Sequence, residues 1–70
     1  MIIELNGRET EIADGASAAD AAVEAGWEPG RRGVAVAVDG EVVPGGRLGE
    51  TALREGQRVE IVEAIGGGAR

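Results

Sequence analysis

Seventy residues and 7.1 kDa hold one small domain whose interior is too thin to enclose a multi-residue active site. The chain has no Cys, His, Lys, Tyr or Phe, which removes thiolate and imidazole chemistry, Schiff bases, disulfides and the usual metal ligands. A formal charge of −6, from 13 acids against seven Arg, argues against nucleic acid and anionic membrane surfaces and favours docking onto a basic protein surface.

The N-terminal residues 1–6 read as a strand, with Ile3 and Leu5 on one face and Glu4 on the other. Asn6-Gly7 is a hairpin signal, because a type I′ turn needs φ > 0 at both central positions. Residues 8–13 return as a polar-rich strand with Thr10 and Ile12 on one face, and Asp14-Gly15 ends it. Ser17 with Asp20 three residues later has the form of a capping box. Residues 18–25 follow as a helix of about two turns, with Ala19, Ala22 and Val23 expected on the buried side. Gly26 suits the left-handed position after a helix, and Pro29-Gly30 confirms the stop. Trp27, the single aromatic, is expected to cover one end of the core; Arg31-Arg32 reads as a solvated loop pair.

Residues 34–38, Val-Ala-Val-Ala-Val, alternate large with small, which suggests a strand covered on both faces. Asp39-Gly40 signals a second two-residue hairpin, and residues 41–43 pair back until Pro44, which cannot donate to a ladder. Residues 45–57 form a Gly-rich connection that Leu48 and Leu53 pin to the core; Gly45-Gly46 lacks the Lys and helix start of a phosphate-binding loop. The last strand covers residues 58–64, with Val59 and Ile61 inward. Val62, Ala64 and Ile65 are then candidates for an outward apolar docking patch, or for cover by a loop. The acids Glu4, Glu9, Glu11, Glu60 and Glu63 fall at solvent-facing strand positions, with no cleft to make a carboxylate pair catalytic. The apolar content is light, 12 Ala beside eight Val, five Ile and three Leu, so net stability is expected at the lower end of the roughly 5–15 kcal/mol typical of domains.

The order strand–strand–helix–strand–short strand–strand predicts an α+β, ubiquitin-like β-grasp: a mixed sheet of four to five strands with one short helix across it and the first and last strands parallel. The domain is expected over residues 1–65, followed by a flexible Gly-rich tail at 66–70. No apolar run reaches transmembrane length and no signal-peptide pattern opens the chain, so a cytoplasmic location is expected. A glycine triplet at a terminus is also what a frayed end looks like. On a small acidic β-grasp domain, however, it suggests a carrier whose terminal carboxylate reacts, because glycines thread a narrow channel and leave the carbonyl unhindered.

The segments MIIELNGRE, GVAVAVDGEVVP and EGQRVEIVEAIGGG, in this order, resemble the ThiS family of sulfur carriers, with the likeness running over residues 1–68. The related molybdopterin carriers of the MoaD type share the fold and the Gly-Gly end, usually in longer chains. The resemblance implies a co-substrate and not an enzyme. An E1-like adenylyltransferase of the ThiF type, using MgATP, activates the terminal Gly carboxylate, sulfur from a cysteine desulfurase replaces AMP, and a ThiG-type thiazole synthase takes the sulfur into the thiazole of thiamine. It also implies that Gly67 and Gly68 are the reactive pair, Gly68 carrying the thiocarboxylate and Gly66 lying in the tail, with no cofactor or metal held by the chain itself. One departure stands out: Ala69 and Arg70 follow Gly68, whose carbonyl is then an amide. Removal by a protease is the expectation, with Gly66-Gly67 the working pair if trimming goes further. The alternatives are an altered end, a carrier for another pathway (cysteine, molybdopterin or a natural product), or a β-grasp module that only binds partners.

Overall fold

The computed structural model describes residues 1–27 and 34–63, with the side chains of Val34 and Glu63 outside that description. Strand β1, Ile2–Leu5, and β2, Arg8–Glu11, form an antiparallel hairpin. Asn6 (φ 51°) and Gly7 (φ 82°) turn it in the left-handed region, as the Asn-Gly pair requires. Helix α1, Ala18–Glu24, opens on a complete capping box. Asp20 N–H donates to Ser17 Oγ at 3.2 Å, and Ser17 N–H donates to Asp20 Oδ2 at 2.8 Å. Two orphan donors of the first turn are thereby satisfied.

Strands β3, Val34–Val38, and β4, Glu41–Val43, form the second hairpin around Asp39-Gly40. A 3-10 helix, Gly45–Glu50, occupies part of the segment expected as an irregular connection. Strand β5, Arg58–Glu63, then enters the centre of the sheet. The order is β2-β1-β5-β3-β4, with β5 parallel to β1 and antiparallel to β3. This is the expected mixed sheet with one short helix across it.

The core is built from Ile3 and Leu5 of β1, Val36 of β3, Val59 of β5, Leu53, and Ala18, Ala21 and Ala22 of α1. Trp27, Leu48, Ile12 and Ile61 pack at its edges, which places the single aromatic and both loop leucines as the sequence suggests. Helix α1 presents Ala18, Ala21 and Ala22 to the sheet, not Ala19, Ala22 and Val23, and Val23 is 49% exposed. An alanine-rich helix of seven residues carries no hydrophobic contrast from which its inner face can be read.

The large-small alternation of β3 has a different consequence from the one expected. Val36 faces the helix and is fully buried, whereas Ala35 and Ala37 lie on the opposite, uncovered face, half-buried. Small residues there reflect one packed face and one open face, not two covered ones.

Candidate functional site

The reactive-tail residues Gly66, Gly67 and Gly68 lie outside the described residues, as do Ala64 and Ile65 of the expected docking patch and the Arg31-Arg32 pair. The domain-and-tail division at residue 65 falls in the same segment. What the structure does place is the surface from which that segment continues.

Val62, the penultimate residue of β5, points away from the helix and is 55% exposed. The outward position expected from the alternation of Val59 and Ile61 is therefore correct, and no loop among the described residues covers it. Cross-strand register extends the surface. Ala35 pairs with Val62, and Ala37 pairs with Glu60 on one side and Val42 on the other. Val42 is 65% exposed. Val62, Ala35, Ala37 and Val42 thus form a continuous apolar strip running diagonally over the open face from the end of β5 to the β4 edge.

Val42 and the two alanines were not singled out in the sequence, although the signal is there. A two-residue turn at Asp39-Gly40 fixes the pairs 38↔41, 37↔42 and 36↔43. Counting outward from the turn puts Val42 beside Ala37 on the face opposite Val36.

Charge borders the strip on the β1 side. Glu60 and Arg58 of β5 are exposed, and Glu4 of β1 is opposite Arg58. The Arg58 Nε–Glu4 Oε2 contact is 3.3 Å between side chains 63% and 46% exposed, so solvent screening leaves it little net energy. Glu9 and Glu11 of β2 extend the same face. The open face is apolar at one end and acidic at the other.

Two polar anchors fix β5 in this surface. Asp39 (φ 52°) accepts from Arg58 N–H at 3.0 Å through Oδ1 and from Gln57 Nε2 at 3.1 Å through Oδ2. These donors, the Arg58 backbone N–H first, hold its carboxyl below the ordinary 3.8, against a smaller desolvation effect. On the other side, Ile61 N–H donates to Asn6 Oδ1 at 2.8 Å.

Among the described residues no group of three or more His, Cys, Asp or Glu could hold a metal, and no helix is long and apolar enough to cross a membrane. No buried polar side-chain atom there lacks a hydrogen-bond partner. The chemistry this surface offers is recognition: an apolar strip with an acidic margin, beside the strand that continues toward the glycines.

The described residues form a β-grasp domain with one open sheet face, and the sequence continues beyond β5 into a glycine triplet. The sequence model of the ThiS family matches residues 2–68, and the chain belongs to that family. A solved structure described as thiamine biosynthesis protein (ThiS) from Geobacter metallireducens is similar in fold. The TM-score is 0.78 at 23% identity, over 97% of this chain and 100% of that one. No curated protein matches the sequence significantly.

Proposed function

We propose that this chain is a sulfur carrier for thiamine thiazole synthesis, and that it works as a protein co-substrate acted on by an adenylyltransferase of the ThiF type. The reading rests on one observation above the others: the family match runs over residues 2–68 and so reaches the glycine pair Gly67-Gly68. Hydrolysis of the Gly68–Ala69 amide by a protease frees the Gly68 carboxylate. That carboxylate attacks the α-phosphate of MgATP bound by the partner enzyme, giving the acyl adenylate and releasing pyrophosphate. Sulfur then displaces AMP at the acyl carbon, either as hydrosulfide, which gives the thiocarboxylate directly, or as a protein persulfide, which gives an acyl disulfide that a second thiol cleaves to the thiocarboxylate; a ThiG-type thiazole synthase receives it. The carrier contributes its tail and a docking surface, and neither role needs His, Cys or Lys.

In this reading the strip from Val62 to Val42, together with Ala64 and Ile65, is the surface that meets the adenylyltransferase, and the acidic margin favours a basic rim on the partner. Ala69 and Arg70 support a second reading, a protease-matured carrier feeding another sulfur pathway. Pyrophosphate–ATP exchange tests the proposal. The chain ending at Gly68 is expected to support exchange with its host's ThiF-type enzyme, and the chain ending at Arg70 is not. Absence of exchange with the Gly68 form refutes the carrier reading. Exchange without sulfur transfer to thiazole synthase favours the second pathway.

A further inference from the structure

The parallel ladder between β1 and β5 is short. Its backbone bonds include Glu4 N–H to Gln57 O and Asn6 N–H to Val59 O, both at 2.9 Å, a step of two residues on each strand. The next donor along β5 on that edge is Ile61 N–H. An unbroken β1 would meet it with backbone, but at Asn6 the chain is already turning, with φ 51°. The side chain takes over: Asn6 Oδ1 accepts from Ile61 N–H at 2.8 Å, across 55 residues of sequence. The amide oxygen serves as one further rung of the ladder beyond the point where the β1 backbone leaves it. On its other edge Ile61 is paired with Val36, and Val62 with Ala35. Asn6 therefore closes the second side of β5 one residue before Val62 begins the exposed apolar strip.

We infer that Asn6 is a positioning residue for partner docking: its side-chain rung holds the C-terminal half of β5 in the sheet plane and so fixes Val62 and the strand end for the adenylyltransferase. This rests on the carrier reading proposed above. The residue type is well matched to both tasks. Asn tolerates the left-handed conformation better than other non-glycine residues, and its oxygen is short enough to mimic a backbone acceptor. Asp keeps both properties. Gly keeps the turn and loses the acceptor.

The test uses chains ending at Gly68, with pyrophosphate exchange by the ThiF-type enzyme and amide hydrogen exchange at Ile61. For Asn6→Gly the KM for the carrier is expected to rise about threefold to tenfold, the range carried by one hydrogen bond, with kcat unchanged. Ile61 N–H should lose protection, and Asn6→Asp should restore both. Gly15→Ala, which strains a turn on the helix side at φ 85°, serves as a variant destabilised elsewhere and should leave KM alone. A KM for Asn6→Gly equal to wild type, or an equal rise in Gly15→Ala, overturns the positioning role. Failure of the wild-type Gly68 form to exchange at all is a different result. It overturns the carrier reading and the docking role with it, whereas Ile61 protection still decides whether the rung exists.

Discussion

Val59 and Val62 occupy one strand three residues apart and face opposite sides of the sheet, so the same truncation should give two separable effects. Val59 is fully buried against Ile3, Val36 and Leu53 in the core cluster. Val→Ala removes two carbons, about 1.6 kcal/mol of transfer free energy, and the unfilled space raises the total to about 2–3 kcal/mol. In a domain of this size that corresponds to a fall in Tm of roughly 10–20 °C. Val62 is 55% exposed, so less than half of the transfer contribution applies and no cavity forms; the expected cost is about 0.5 kcal/mol. Urea unfolding followed by Trp27 fluorescence reads both, since Trp27 is the single aromatic and packs against the core. Val62→Ala should nevertheless raise the carrier's KM in pyrophosphate exchange, whereas Val59→Ala should leave it unchanged at temperatures where the variant is folded. Equal destabilisation by the two truncations would mean that the outer face is covered, and the docking surface would have to be abandoned.

Two further predictions concern pH. The Met1 ammonium donates to Asp14 Oδ1 at 2.9 Å and to Ile12 O at 2.8 Å. The hydrogen bond to Asp14 lifts its pKa above the ordinary 8.0, opposed by desolvation and helped by Glu55 and Glu11. A folded value above the unfolded one means that this stabilisation is complete below about pH 8 and fades as pH rises through the folded value. Asp14→Asn should flatten that alkaline decline in urea midpoints, and an unchanged slope would show that the ammonium does not contribute. Asp39 works in the opposite sense. Its depressed carboxyl stabilises the fold above 3.8, and the contribution disappears as pH falls through the lower folded value. Asp39→Asn tolerates the left-handed turn, so the variant should fold and show a flatter acid limb; an acid limb as steep as wild type would refute the assignment.

Where sequence and local geometry are strictly coupled, the fold was legible. Asn6-Gly7 and Asp39-Gly40 each demand positive φ at both positions, and both hairpins form there with two-residue turns. Ser17 and Asp20 satisfy each other as their spacing implies. The parallel pairing of β1 with β5 follows from the element order and the crossover through the helix. The failures occur where the signal is one of contrast. Alanine on every side of α1 leaves its inner face undetermined until the sheet selects Ala18, Ala21 and Ala22. Val-Ala alternation in β3 marks large-inside and small-outside as readily as two covered faces. The strip through Val42 needed the hairpin register, which alternation within one strand does not supply. Asn6 was legible as a turn residue, but its hydrogen bond to Ile61 joins the two ends of the sequence and has no local signature.

The edges of the sheet indicate how a partner approaches. β2 at one edge is Arg8-Glu9-Thr10-Glu11, whose charged side chains oppose addition of a further strand. β4 at the other edge has only three residues and is ended by Pro44, which limits a growing ladder on that side. Both edges are thus guarded against strand addition, yet the face between them keeps two valines more than half exposed. In a domain with so few large aliphatic residues, each valine kept outside is one withheld from the core, and the resulting surface carries an association risk. A partner that docks on this face can cover the strip without joining the ladder, and it can dissociate without disturbing the sheet. The proposed passage from an activating enzyme to an acceptor calls for that property, because a partner bound by strand addition would share backbone hydrogen bonds with the chain and release it slowly.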